Sequence, residues 1–229
     1  MKRVTITITL IFLFSLCVNA QNNASPQKMY EQTPNRIEML YNVNSFDLFL
    51  SGKYKALIKQ MQRKDSSSEY YKELYTLYTI AACYDKLKKH DSTICYLTKF
   101  MDKARDDRYI LIGNDFNNLK NNSLKWKLIV NRIEQSYLQL LGDNMDKELA
   151  LKIFYLCIGR LRLMEDGAFN PSEDLKIIEE MEKIVDKQGM PTYSNVGNYA
   201  SCNAAHTLWY SEKLPQYYPL IQAAFLRGK

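Results

Sequence analysis

From about residue 33 to the C-terminus, apolar side chains recur every three or four positions, and residues that interrupt helices are scarce between them. An α-helix has 3.6 residues per turn, so this spacing lines one helix face, whereas a half-buried strand needs strict alternation. Tyr54, Leu57, Ile58 and Met61 form one such set, and Leu74, Leu77, Ile80, Ala81 and Tyr84 form another. Leu149, Ile153, Leu156, Cys157 and Leu163 form a third. Eight glycines and six prolines punctuate 229 residues. A chain this poor in turn formers must cover its apolar faces by packing helix on helix. The predicted fold class is all-α, with antiparallel helical hairpins packed against a C-terminal helical bundle.

The first twenty residues follow a different pattern. Lys2 and Arg3 are followed by an uncharged run from Val4 to Cys17, and Val18-Asn19-Ala20 precedes polar Gln21-Asn22-Asn23. A basic start, an apolar body and a small-residue cut site make up a secretory signal peptide. The run is shorter than the roughly 20 residues that span a bilayer. Residues 1–20 are therefore expected to be removed on export, with no transmembrane segment after cleavage. Residues 21–32 are polar and are expected to form a flexible leader.

Turn chemistry sets the expected helix limits. Thr33-Pro34 pairs an N-cap with proline at the first helical position. Ser51-Gly52-Lys53 is a turn, Asp65 to Ser68 a polar break, and a long helix covers about 69–88. Lys88-Lys89-His90 turns the chain again, and Asp91 opens a helix carrying Ile94, Leu97, Phe100 and Met101. The turns at Gly52 and Lys88 lie 36 residues apart, which suggests a repeat of helical hairpins.

Leu77, Ile80, Ala81, Tyr84, Leu87, Thr93, Ile94 and Leu97 resemble a tetratricopeptide repeat. The resemblance implies that Ala81 sits where two helices approach closely, with Tyr84 and Leu97 at large packing positions. Lys88 stands where the repeat often has glycine, and Phe100 where it usually has alanine. The array is expected over 33–127. Phe116, Leu119 and Trp126 would cover its open apolar end, which a short solenoid needs.

The remaining residues, 128–229, read as a C-terminal helical domain. Helices are expected over about 128–141, ended by Gly142, and over about 145–164. Another starts at Asn170-Pro171 and ends at Gly189-Met190-Pro191-Thr192. Val196-Gly197 leads into a helix with Ala200, Ala204 and Leu208, and Pro215 opens the last helix, to about Arg227. Residues 146–227 resemble the front part of an uncharacterised family of bacterial extracytoplasmic domains. The resemblance rests on Gly189-Met190-Pro191-Thr192, Val196-Gly197, the Ala-rich helix and Gln216-Tyr217-Tyr218-Pro219-Leu220-Ile221. It implies an Asp-Gln pair where this chain has Gly159-Arg160, and a Gln-His pair where it has Trp209-Tyr210.

Residues suited to chemistry are few. There is no phosphate-binding loop, no His-Glu-x-x-His, no Gly-x-Ser-x-Gly and no calcium loop. With two histidines in the chain, a multi-histidine metal centre has little material. No metal or cofactor is expected. Cys202 and His206 are four residues apart on one helix face, either as a metal half-site or activated thiol, or as two packed residues. Glu179, Glu180 and Glu182 lie in one helical run, which suits a solvated face better than facing catalytic carboxylates. Without Lys2 and Arg3 the chain keeps 29 basic and 25 acidic residues, interspersed, so nucleic acid is not an expected partner. Lys86, Lys88, Lys89 and His90, the densest basic run, read as a solvated helix end. Cys83, Cys95, Cys157 and Cys202 lack any Cys-x-x-Cys spacing. A Cys83–Cys95 bridge is conceivable in an exported protein, beside the reading that all four are small buried apolar residues.

Tyr71, Tyr75 and Tyr78 fall on one helix face. On the tetratricopeptide resemblance, Tyr75, Tyr78, Ala82, Asp85 and Lys86 line the concave side of a hairpin, where a protein or peptide partner would bind. The alternative is that the tyrosines pack against the preceding hairpin. These readings make the chain a non-catalytic interaction or scaffold protein exported to the bacterial envelope, periplasm or exterior. The alternative is a hydrolase-like enzyme acting through His206, Cys202, Tyr210 and Glu212 in the C-terminal half.

Overall fold

A computed structural model describes residues 43–63, 70–104, 107–165 and 169–227. The predicted signal peptide, the leader, the Thr33-Pro34 helix start and the break at 65–68 lie outside them. The described residues are about 80% helical and contain no strand. The all-α fold class is therefore correct.

Two hairpins come first among the described residues. The first joins α1 (Val43–Leu50) to α2 (Tyr54–Arg63), and the second joins α3 (Tyr70–Lys86) to α4 (His90–Lys103). Their turns are built alike. Gly52 and Lys88 both take positive φ, 71° and 55°. Gly52 N donates to Phe49 O and Lys53 N to Leu48 O; one period later Lys88 N donates to Asp85 O and Lys89 N to Tyr84 O. A left-handed residue with paired return bonds closes a helix C-terminus by satisfying its last carbonyls. The 36-residue spacing of the turns is thus a local structural repeat.

Each turn sits beside a packed interface. Leu57, Ile58, Met61, Ile80 and Cys83 form a small core between α2 and α3. The main core begins with Leu74, Tyr78, Ala81 and Ala82 of α3 against Leu97, Phe100 and Met101 of α4. Ala81 and Ala82 are fully buried. A side chain no larger than a methyl there lets α3 and α4 approach closely.

Two short helices follow, α5 (Tyr109–Ile112) and α6 (Asn117–Lys120). Ile110, Leu111, Ile112, Phe116 and Leu119 are all buried. Phe116 and Leu119 therefore belong to the main core, where Phe116 meets the Tyr78 ring of α3. Trp126 packs against the same core from a partly buried position.

The helix α7 spans Ser123–Gln139, starting earlier than its apolar pattern indicates. Asn122 explains the early start, because its side-chain oxygen accepts from Lys125 N at 3.2 Å and serves as the N-cap. The domain limit expected between 127 and 128 consequently falls inside a helix. The helix also ends before Gly142, at Gln139.

The C-terminal bundle comprises α8 (Lys147–Glu165), α9 (Pro171–Gln188), α10 (Tyr193–Leu208) and α11 (Leu214–Arg227). Asn170 caps α9, accepting from Ser172 N at 3.1 Å, with Pro171 in its first turn. Gly197 interrupts α10 with φ 78°. A Cβ at that position would lie 2.7 Å from Leu141 Cδ2, so glycine answers both the backbone and the close approach. Ala200, Ala204 and Ala205 then bury the face of α10 that meets the bundle.

The main core is continuous from Leu74 to Ile221. Polar contacts cross between the halves as well. Arg162 Nε donates to Leu111 O at 2.8 Å, and the Arg108 guanidinium lies 4.0 Å from the Tyr199 ring centroid. Among the described residues no helix is long and apolar enough to cross a membrane.

Candidate functional site

The tyrosine face of α3 does not form an open groove. Tyr78 is fully buried. Its ring meets Phe100 and Phe116 edge-on, at 5.5 and 5.3 Å between centroids. Its hydroxyl donates to Asp115 Oδ2 at 2.8 Å. Asp85 is equally buried. Its carboxylate accepts from Leu119 N at 2.7 Å and Asn118 N at 3.1 Å, holding the first turn of α6. Tyr78 and Asp85 thus point into the fold and offer no surface to a partner, which corrects their expected place on a concave face. The segment after α4 folds back over them, and no helical periodicity announces that return.

Tyr75 and Lys86 are half-buried. Tyr75 packs against both the main core and the small one, and its buried hydroxyl has no hydrogen-bond partner. The Tyr71 side chain lies outside the described residues.

Among the described residues the four cysteines, Cys83, Cys95, Cys157 and Cys202, are free thiols. Cys83 is buried within the small core while Cys95 is exposed, so the two do not form the conceivable bridge. Burial pushes the Cys83 and Cys157 thiols up to about 12. Thiols held protonated in this way are poor nucleophiles.

The C-terminal half gathers more charge than its sequence suggests. Arg160 is 4% exposed on α8 and Asp174 is 7% exposed on α9. They pair across the hairpin through Nε–Oδ1 at 2.7 Å, with Nη2–Oδ2 longer at 3.4 Å. Tyr210 lies just beyond α10, with its ring centroid 4.2 Å from the Arg160 guanidinium carbon. His206, on the exposed side of α10, meets the Tyr210 ring edge-on at 5.4 Å. Partial burial, and then the Arg160 charge, lower the His206 pKa below its ordinary value. Arg160 and Tyr210, fifty residues apart in the chain, are therefore in contact.

The other candidates stand apart from this group. The Cys202 thiol donates to Asn198 Oδ1 at 3.4 Å, one turn earlier on its own helix. Glu212 is exposed in the turn between α10 and α11. Among the described residues no group of three or more His, Cys, Asp or Glu side chains could hold a metal ion.

Glu182 has a structural role that its run of acids hid. It is 7% exposed and accepts hydrogen bonds from Ser211 Oγ and Lys213 Nζ. Burial raises its pKa, but the bonds from Lys213 and Ser211 outweigh that and leave it lowered. Glu180, by contrast, pairs with Lys183 on the surface. Asp186, one turn after Glu182, accepts from the Tyr217 hydroxyl at 3.0 Å. Together Glu182 and Asp186 tie the α10–α11 turn and α11 to α9.

Large apolar side chains are left open at one end of the α8–α9 hairpin. Leu161 and Met164 lie on the last turns of α8, Leu175 on the second turn of α9, and Phe169 in their connection; all four are exposed. Nothing in their helical spacing separates them from core residues, which is why the sequence alone does not single them out. Comparison with known families, with curated proteins and with solved structures finds no match for this chain.

Proposed function

We propose that the chain is a non-catalytic interaction protein, exported to the bacterial cell envelope, that holds a protein or peptide partner. The observation that carries this reading is the apolar end of the α8–α9 hairpin. Phe169 is 52% exposed and Leu175 48%, and Leu161 and Met164 of the same hairpin are exposed as well. A group of large apolar side chains held open to water favours a surface that another protein covers. Covering each such side chain contributes about 1.5–3 kcal/mol. The export half of the proposal rests on Lys2, Arg3 and the uncharged run from Val4 to Cys17. The repeated hairpin turns at Gly52 and Lys88 support a tetratricopeptide-like scaffold, a class built to present surfaces.

The test is a pair of substitutions at exposed positions, Phe169→Ser with Leu175→Ser. The expected result is at least about a tenfold loss of a cross-linked envelope partner, with the helical circular dichroism unchanged. Undiminished recovery of the partner by the folded double variant rules the hairpin end out as the contact surface.

A further inference from the structure

We propose that Arg160, under Tyr210 and beside His206, is a receptor for the carboxylate of a peptide chain. This rests on the interaction reading above and names the chemistry such a partner would bring.

A guanidinium carries five N–H donors arranged along three edges. Asp174 occupies the Nε side of Arg160 at 2.7 Å and reaches Nη2 only at 3.4 Å. The remaining nitrogen, Nη1, is buried and has no hydrogen-bond partner. Leaving a buried donor unpaired is costly, and a native fold seldom does so without reason. The Nη1–Nη2 end of the guanidinium is the edge that receives a planar carboxylate through two parallel bonds.

The surroundings suit that ligand. The Arg160–Asp174 pair is neutral overall, so an incoming carboxylate meets no net negative charge from it. His206 meets the Tyr210 ring at 5.4 Å and can add a positive charge on protonation. Tyr210 is 54% exposed and follows the last residue of α10, so its ring can swing aside without disturbing the core. Leu161 and Leu175 adjoin Arg160 and Asp174 in sequence and are open to water. They give the α8–α9 hairpin open apolar side chains that a peptide can meet, which suits the C-terminus of a peptide better than a bare anion.

The experiment titrates the full chain with N-acetyl-Leu-Leu, its C-terminal amide, and acetate, while following the His206 ring resonances by NMR. The expected result is a saturable shift with N-acetyl-Leu-Leu, with binding at least about tenfold weaker for the amide and for acetate. Arg160→Lys keeps the charge toward Asp174 but lacks the paired edge, and should abolish the shift. Because that variant alters a buried position, Tyr210→Ala provides a second arm at an exposed one. Removing the ring that lies against the guanidinium there should tighten N-acetyl-Leu-Leu binding. Equal binding of the amide overturns the proposal, as does acetate matching the dipeptide or the absence of a saturable shift in both the wild type and Tyr210→Ala. If the carboxylate site fails while Phe169→Ser with Leu175→Ser still releases the partner, only the Arg160 inference falls.

Discussion

Tyr78 illustrates how one hydroxyl decides where a side chain belongs. Its ring provides apolar area between α3, α4 and Phe116, and its oxygen finds Asp115 in the same buried space. Tyrosine is favoured at such a place because one end is apolar and the other needs a partner. Tyr78→Phe preserves the ring and leaves the buried Asp115 carboxylate short of a donor. The expected cost is about 1–3 kcal/mol in urea denaturation, with the helical content of the folded state unchanged. A variant as stable as the wild type removes this bond from the forces that hold the 113–116 segment. At this scale the sequence was least legible. Tyr75 and Tyr78 share a face by spacing, yet one is half-buried against two cores and the other wholly enclosed. The difference comes from Asp115 and Phe116, more than thirty residues downstream, and helical periodicity carries no information about that contact. Arg160 and Asp174 escaped notice for the same reason, since a charged residue on a helix reads as solvated until its partner across the hairpin is known.

Among the elements, most helices stand where periodicity and capping put them. Asn170 with Pro171 opens α9, and Gly197 divides α10, because each local rule there agrees with the packing around it. The departures have local causes too. The early start of α7 follows from the Asn122 cap, and α5 and α6 are too short to display a helical period. The paired hairpin turns permit a sharper test. Gly52 holds its positive φ without side-chain cost, whereas Lys88 holds φ 55° with a full side chain. Glycine is the favoured residue at such a helix terminus. Lys88→Gly should therefore stabilise the protein by about 0.5–1 kcal/mol, read as a higher denaturation midpoint with an unchanged slope. A lowered midpoint would mean that the Lys88 side chain contributes more than its backbone strain costs.

For the molecule as a whole, the thiols report how tightly the two halves close on each other. Cys83 lies in the small core and Cys157 in the main one, while Cys95 is exposed and Cys202 intermediate. Native protein at neutral pH should therefore react with iodoacetamide first at Cys95, then at Cys202. Cys83 and Cys157 should be modified only on global unfolding, because burial holds both thiols protonated far above neutral pH. Early modification of Cys157, read by peptide mass, would show that α8 opens before the rest of the fold. The short α5 sharpens this point. It precedes α7 in the chain, yet its Leu111 carbonyl receives Arg162 from α8 and its three consecutive apolar residues lie inside the common core. A plug borrowed from one half to complete the other cannot be traded in evolution as part of a free-standing cassette. Grafting the front hairpins elsewhere would carry the stopper away and leave its socket dry and vacant.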